Sequence, residues 1–188
     1  MTNEEYIRAH LSPEREREVD PFVITTFMPI EPYDDVADIG CGPGYFSIPL
    51  AKHLVYGKLY ALDVSDEMLD ITRRRASEAR LGNVEVVKCG ATDLPLPEGS
   101  LDGAFLAFVV HHNDDRVGFL KAVRPLLRTR GWCTVLEWHR VETEHGPPLE
   151  TRIPLEELRP MAQEAGFRYL SSRDVNPHQY MALFRKDG

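Results

Sequence analysis

Three glycines spaced by single residues, Gly40, Gly42 and Gly44, follow a short apolar run that contains the acidic Asp38. Glycine lets the backbone pass close to a ligand because no Cβ stands in the way. A helix that begins after such a turn presents free N–H groups and the positive end of its dipole. The turn therefore predicts a cradle for a nucleotide-like ligand, against the alternative of a tight turn without a ligand. Tyr45 stands where the fingerprint GxGxxG would continue, which disfavours a nicotinamide or flavin cofactor.

A second acidic residue, Asp63, ends the next apolar run, about twenty residues beyond the glycine turn. In a parallel sheet both positions lie at the carboxyl edge, where a carboxylate can accept both hydroxyls of a ribose. The alternative role is to cap the following helix, but Ser65 or Asp66 can do that. The position of Asp63 therefore predicts ribose binding.

A third group of reactive side chains follows two later apolar runs. Residues at this edge of an α/β sheet commonly carry function. A histidine there has a pKa near neutral pH and can take a proton from a hydroxyl or ammonium group, or it can simply bond to its own loop. The candidate catalytic residues are His111, His112, Glu137 and His139. Metal binding is not predicted, because no element carries paired ligands.

The elements that must position these residues follow from the hydrophobic pattern. Short apolar runs alternate with amphipathic segments from residue 35 onward, which indicates a mostly parallel sheet with helices on both faces. The last two strands lack a helix between them and should pair antiparallel. The pattern predicts a doubly wound α/β domain with strands at 36–39, 58–63, 84–87, 103–109, 132–138, 167–170 and 180–184, and helices at 44–54, 66–81, 115–127 and 154–165. Before them, Asp20-Pro21 predicts the start of a short helix over 21–29.

Composition limits the classes of partner. The chain has 188 residues, 43% hydrophobic and 28% charged, as expected for one globular domain. A net charge of −8 disfavours nucleic acid and anionic membranes. No apolar run approaches the ~18 residues that cross a bilayer, and the opening residues do not resemble a signal peptide, so we expect a cytoplasmic protein. Cys41, Cys89 and Cys133 are expected to be buried and reduced.

Four segments, in this order, resemble the class I S-adenosylmethionine-dependent methyltransferases over about residues 33–140. They are VADIGCGPGYFSIPLA, LYALDVSDEMLDITRRRA, ATDLPLPEGSLDGAFLAFVVHH and RPLLRTRGWCTVLEW. The similarity is greatest to the ubiquinone-biosynthesis-like branch, which acts on small molecules. The resemblance implies a three-layer sandwich with a seven-stranded, mostly parallel sheet in the order 3-2-1-4-5-7-6 and an antiparallel last strand. It also implies a lid over residues 1–32, with Tyr6, His10 and Arg15, and a cofactor-binding domain over 33–188.

The resemblance further assigns residues to parts of the cofactor. The methionine end would contact Asp38, Gly40, Cys41, Gly42, Gly44 and Tyr45, with its ammonium on a carbonyl at Ala107 or Phe108. The ribose and adenine would contact Asp63, Val64, Met68, Gly90, Ala91 and Thr92. Gly90 departs from the acidic residue that many relatives carry, which leaves two alternatives: Asp93 or Thr92 substitutes for it, or the contact is lost.

The implied function is transfer of a methyl group from S-adenosylmethionine to a small-molecule acceptor by in-line displacement. Two alternatives remain open: a non-catalytic sensor or scaffold that binds the same cofactor, and, less favoured, an NAD-dependent oxidoreductase. The acceptor atom and the oligomeric state, monomer or homodimer, are left open. Arg152, in the loop after the fifth strand, is expected to pin that loop through a salt bridge or to meet an acidic substrate.

Overall fold

The computed structural model describes residues 3–188, without the side chains of Asn3, Tyr6 and His10. One sheet contains seven strands: β1 Val36–Ile39, β2 Leu59–Asp63, β3 Val84–Lys88, β4 Leu101–Ala107, β5 Leu127–Trp138, β6 Phe167–Asn176 and β7 Gln179–Lys186. The strand order is β3-β2-β1-β4-β5-β7-β6, and β7 is antiparallel to both β5 and β6. This confirms the predicted α/β fold, its strand order and its reversed last strand.

Three of the α-helices in the described residues precede β1, and the other four separate later strands, except between β3 and β4 and between β6 and β7. They are α1 Asn3–His10, α2 Pro13–Glu18, α3 Pro21–Thr25, α4 Ser47–His53, α5 Asp66–Glu78, α6 Arg116–Val123 and α7 Leu155–Glu164. The chain divides into two compact units, one ending at Lys88 and one beginning at Cys89. The predicted division at residue 32 remains a prediction.

In the first unit, β1, β2 and β3 pair in parallel. Every residue of β1 is buried, as expected for a strand covered on both faces. Helix α5 buries one stripe of residues at helical spacing, which includes Met68, Leu69, Thr72 and Ala76.

The N-terminal segment is more helical than its sequence predicts. The run of mostly charged residues over 12–20 contains helix α2, capped by the Ser12 side chain, which accepts from the Arg15 N–H at 3.2 Å. Asp20 caps α3 as predicted, but α3 ends at Thr25 rather than at residue 29. The lid prediction also named Tyr6 and His10, whose side chains lie outside the described residues.

In the second unit, β4 and β5 are parallel, and the hairpin β6–β7 continues the sheet. Helix α6 ends at Val123 and a 3-10 turn follows over Arg124–Leu126, because Pro125 has no N–H to extend the helix. Strand β5 is longer than predicted and begins at Leu127.

Two further expectations from the sequence concern the burial of the cysteines and the absence of a membrane-spanning segment. Cys41 and Cys133 are buried and none of the three cysteines forms a disulfide with another described residue, whereas the prediction of burial is wrong for Cys89, which is partly exposed. No helix among these residues is long and apolar enough to cross a membrane.

Candidate functional site

The glycine turn between β1 and α4 is held against the end of β2. The N–H groups of Gly40 and Cys41 donate to the Leu62 carbonyl at 2.8 and 2.9 Å. The three glycines have φ values of 77°, 53° and 75°, in the left-handed region that favours glycine. Left-handed glycines therefore alternate in this turn with Cys41 and Pro43, whose φ values are not positive.

Gly42 and Gly44 are required for different reasons. A Cβ at Gly44 would lie 2.8 Å from Oγ1 of Thr72, whose hydroxyl donates to the Gly42 carbonyl at 2.9 Å. A Cβ at Gly42 would meet no protein atom within 4 Å. Packing against Thr72 therefore explains why residue 44 is a glycine. The space beside Gly42 is open, and a side chain at this position would fill it.

Asp63 joins the end of β2 to this turn. Its Oδ2 accepts the Gly42 N–H at 2.8 Å, and its Oδ1 accepts the Ser65 N–H at 2.9 Å. Ser65 caps α5 by accepting from the Met68 N–H at 3.4 Å, so Asp63 is not the N-cap residue. Each carboxylate oxygen has two lone pairs, so both oxygens of Asp63 can still accept a ligand hydroxyl.

Asp38 is buried at the end of β1 next to Ser47, whose hydroxyl donates to Oδ2 at 2.5 Å. Burial raises the pKa of Asp38 to about 7, the Ser47 hydrogen bond lowers it, and the charge of Asp63 raises it. A cation placed against Asp38 would favour its ionised form. Asp38 can therefore bind an ammonium group, with release of a proton near neutral pH.

Tyr45 and Cys41 use their side chains within the protein. The Tyr45 hydroxyl donates to the Val19 carbonyl at 2.8 Å, and the Arg15 guanidinium lies 4.8 Å from the centre of the Tyr45 ring. Cys41 packs in the core against Ala61 and other apolar residues. The predicted cofactor contacts of Cys41 and Tyr45 remain predictions.

The residues predicted to contact adenine differ in exposure. In the first unit, Val64 is 59% exposed and Met68 is buried. In the second unit, the Gly90 N–H donates to the Asp93 carbonyl at 2.8 Å, and the residues between them are exposed. The predicted contacts of Gly90, Ala91 and Thr92 remain predictions.

In the second unit the structure brings His111 and Glu137 together. Nδ1 of His111 lies 2.9 Å from Oε2 and 3.1 Å from Oε1 of Glu137. Oε1 also accepts the His111 backbone N–H at 3.2 Å, and Oε2 accepts the Trp138 N–H at 3.3 Å. Both side chains are buried, and Glu137 is 0% exposed. The result is a buried imidazole–carboxylate pair.

The other two candidate histidines have different surroundings. The His112 ring centre is 4.1 Å from that of His111, and burial, followed by the charge of His111, lowers the pKa of His112, with Glu137 opposing. His139 instead pairs with Asp174 at 2.9 Å near the protein surface. Within the described range of residues, no three His, Cys, Asp or Glu side chains are grouped as metal ligands.

Arg152 pins the loop after β5, but through carbonyl oxygens rather than the predicted salt bridge. It donates to the Val141 and Pro147 carbonyls at 2.5 and 2.9 Å. Its guanidinium lies 4.9 Å from the centre of the Trp138 ring, which is 5.6 Å from Phe108. Phe108 has a φ of 55°, which is strained for an aromatic residue.

Sequence reasoning missed Ser47 and Thr72, the hydroxyl residues that support Asp38 and the glycine turn. Thr72 carried a usable signal, because a polar residue on a buried helix stripe must find a hydrogen-bond partner. Ser47 carried none, since its partner depends on how α4 packs against β1.

The methyltransferase domain family matches this sequence over residues 36–131, which contain the glycine turn, Asp63 and His111. The chain belongs to this family. A curated relative is the demethylmenaquinone methyltransferase of Listeria monocytogenes serotype 4a (strain HCC23), 30% identical over 111 residues. The aligned segment is 58% of this chain and 47% of that protein, so the match spans about half the length of the relative. The predicted resemblance is confirmed at the level of the family.

Solved structures support the fold over nearly the whole chain. The SAM-dependent methyltransferase from Aquifex aeolicus has a TM-score of 0.90 and 26% identity, with 99% of each chain covered. The [4+2]-cyclase SpnF has a TM-score of 0.79 and 17% identity, with 90% of this chain and 81% of that chain covered. Because SpnF is a cyclase with the same fold, fold similarity alone does not identify the reaction.

Proposed function

We propose that this protein transfers a methyl group from S-adenosylmethionine to a small-molecule acceptor. The observation that carries the proposal is the hydrogen bond from the Gly42 N–H to Asp63, which holds this carboxylate beside the open side of the glycine turn. Membership of the methyltransferase domain family and the likeness to the Aquifex aeolicus protein support it.

In this proposal the first unit holds most of the cofactor. Asp63 accepts the ribose hydroxyls, the turn at Gly40–Gly44 carries the methionine end, and the ionised Asp38 favours its ammonium group. Val64 and Met68 are the neighbours proposed for the adenine ring. The contacts expected of Gly90, Ala91, Thr92, Ala107 and Phe108 rest on the family resemblance.

When bound, the cofactor supplies an electrophilic methyl group on sulfonium. The protein must orient the acceptor and exclude water, which can contribute roughly 7–11 kcal/mol without a covalent catalyst. An acceptor that is protonated at neutral pH also needs a general base. We propose that this base is among His111, His112 and His139, with Glu137 as a supporting carboxylate.

The alternatives receive less support. A dehydrogenase would require a dinucleotide site, whereas the turn lacks the third glycine of that fingerprint. A sensor would bind the cofactor without turnover, and the family match favours an enzyme. A small-molecule acceptor, the exclusion of nucleic acid and a cytoplasmic location are part of the proposal and rest on composition and the family resemblance.

Calorimetry with S-adenosylhomocysteine tests the cofactor site through two matched glycines. Gly42 and Gly99 both have positive φ, and a Cβ at either would meet nothing within 4 Å. Gly42→Ala and Gly99→Ala should therefore lose similar stability, about 1 kcal/mol. Only Gly42→Ala should weaken ligand binding, by tenfold or more. Equal affinity in the two variants would contradict the assignment of the turn.

Transfer of label separates an enzyme from a sensor. The protein is incubated with methyl-labelled S-adenosylmethionine and a small-molecule fraction of cell extract. An enzyme moves the label into an extractable product, whereas a sensor binds the cofactor and leaves the label on it. Asp63→Ala is the matched control, because it should lose the transfer together with the binding.

A further inference from the structure

The buried carboxylate of Glu137 has an unusual set of partners. Within the part of the chain that the structure describes, its hydrogen bonds go to Nδ1 of His111 and to the backbone N–H groups of His111 and Trp138. No Lys or Arg side chain in that part forms an ion pair with it. Burying a carboxylate is costly unless it is paired and hydrogen-bonded. The burial of Glu137 with these partners therefore indicates a functional role for its carboxylate.

The partners of Glu137 determine which nitrogen of His111 carries the proton. An ionised carboxylate can only accept hydrogen bonds, so Nδ1 must be the N–H that donates to it. In the neutral ring the lone pair then lies on Nε2. Nε2 has no hydrogen-bond partner among the described residues, which leaves it free to accept a proton from another molecule.

His111 also borders a cavity of about 440 Å³ in the second unit. The side chains of Arg116 and Asp115 at its wall are engaged, since Arg116 donates to the Thr151 carbonyl at 2.9 Å and Asp115 accepts the Gly118 N–H at 2.8 Å. The volume suits a small molecule with a few polar groups. The wall is formed by His111, Asn113, Asp114, Asp115, Arg116, Val117, Thr151 and Met161.

We propose that Glu137 is a positioning residue that holds His111 as a general base with Nε2 available to a methyl acceptor in this cavity. The inference rests on the proposed function and deepens it, because it specifies an acceptor that carries a hydroxyl or a protonated amine. The O–H or N–H bond of the acceptor breaks, its electron pair stays on the acceptor atom, and a new N–H bond forms at Nε2. The proton later leaves the imidazolium for solvent.

The two other histidines lack this arrangement. His112 lies beside His111 but has no hydrogen bond to Glu137, and its burial disfavours the charged ring that a base must become. His139 has a carboxylate partner, Asp174, whose side chain is 77% exposed. An exposed pair is weakened by water and orients a ring poorly.

The first test reads the tautomer of His111 directly, without activity. Long-range proton–nitrogen correlation spectra of ¹⁵N-labelled protein are recorded across pH for wild type, Glu137→Gln and Asp174→Asn, with His111→Gln to assign the signal. Wild-type His111 should carry its proton on Nδ1. Glu137→Gln should reduce that population, whereas the matched Asp174→Asn should alter His139 alone.

The spectra are interpreted together with the titratable and charged groups that contact His111 or border the same cavity among the described residues. These are Glu137 on β5, His112 beside it, and Asp114, Asp115 and Arg116 at the cavity wall. A proton on Nε2 of neutral wild-type His111, or a tautomer unchanged by Glu137→Gln, would overturn the proposal. Because the first of these outcomes needs no Glu137 variant, the proposal stays testable even if Glu137→Gln fails to fold.

The second test compares label transfer in single and double variants. His111→Ala and Glu137→Gln should each lower the rate by about 100-fold or more, the usual range for a general base. The double variant should be no slower than His111→Ala, because Glu137 acts only through that ring. A further loss in the double variant would overturn the positioning role.

Binding of S-adenosylhomocysteine distinguishes this inference from the proposed function. The His111 and Glu137 variants should bind it with wild-type affinity. If wild-type protein binds no cofactor, the proposed function fails, while the tautomer test still reports on His111. If the cofactor binds and the label transfers normally in His111→Ala, the proposed function stands and the assignment of the base is wrong.

Discussion

Buried carboxylates meet different partners in this protein, and the partners set what each carboxylate can do. Asp38 accepts from a hydroxyl, Asp63 accepts from two backbone N–H groups, and Glu137 accepts from an imidazole and two backbone N–H groups. The first can gain or lose a proton near neutral pH, the second keeps acceptor capacity for a ligand, and the third fixes the orientation of a ring.

Replacing Asp63 should weaken cofactor binding. Asp63→Ala removes the acceptor of the ribose hydroxyls and of the Gly42 N–H, so we expect a loss of roughly 1–3 kcal/mol in binding S-adenosylhomocysteine. Asp70→Ala is the control, because Asp70 forms only an exposed pair with Arg73. Calorimetry showing wild-type affinity for Asp63→Ala would remove the ribose assignment.

The pKa of Asp38 makes stability depend on pH. Its pKa is about 7 in the folded protein against a reference value of 3.8, so the native state binds more protons between these values. The free energy of unfolding contributed by Asp38 therefore falls as pH rises from about 4 to 7. Above pH 7 the native protein contains a buried charge that the unfolded chain keeps in water.

Asp38→Asn removes this penalty. The variant should be stabilised relative to wild type by roughly 2–4 kcal/mol more at pH 8 than at pH 5. Urea unfolding at the two pH values measures the difference, and the same variant should bind S-adenosylhomocysteine less tightly because Asn cannot ionise. A stability difference that is equal at both pH values would show that Asp38 does not titrate in this range.

At the scale of elements, the N-terminal helices are joined to the glycine turn through Tyr45. Its hydroxyl donates to the Val19 carbonyl between α2 and α3, and Arg15 of α2 lies over its ring. Val19 is buried. The segment proposed as a lid is thus attached at one defined point to the turn proposed to hold the cofactor.

Tyr45→Phe should loosen this attachment. The Val19 carbonyl would lose its buried partner, which costs about 1–3 kcal/mol. Trypsin should then cleave at Arg15 and Arg17 faster than in wild type, as followed by mass spectrometry. Tyr33→Phe is the control, because Tyr33 is 73% exposed and the change should leave cleavage unaltered. Equal cleavage of Tyr45→Phe and wild type would contradict the attachment.

The sequence predicts elements well where hydrophobic periodicity is strong. The parallel strands and helix α5 were predicted because continuous apolar runs and i, i+3, i+4 spacing have distinct patterns. Helix α2 was missed because its residues are almost all charged and none is buried, so it has no apolar period. Helix α6 ends before residue 127, where the hydrophobic pattern ends it, because Pro125 lies within the predicted range and cannot extend a helix.

The candidate site was only partly predictable. The glycine turn and Asp63 could be recognised because their chemistry is encoded in adjacent residues. The contact between His111 and Glu137 joins residues 26 apart in the sequence, and it depends on the pairing of β4 with β5. His139 lies only two residues beyond Glu137 yet bonds to Asp174 on β6, a difference that side-chain packing sets.

At the scale of the whole molecule, cofactor binding should stabilise the fold by mass action. A ligand at about 100 times its Kd adds about 2.7 kcal/mol to the free energy of unfolding. For a chain of this size, that raises Tm by about 5–10 °C. Thermal unfolding with S-adenosylhomocysteine should show the shift, whereas the same concentration of NAD should show none. A shift with NAD alone would favour the oxidoreductase alternative.

The hydrogen bond between Tyr45 and Val19 bears on how the protein can be shortened. Removing the residues up to Val19 would leave a phenol hydroxyl in a largely dry environment with nothing to bond to. A version that begins at Asp20 should therefore melt at a lower temperature even in the absence of any ligand. The N-terminal helices thus fold as one unit with the glycine turn, and their role is more than covering the cofactor.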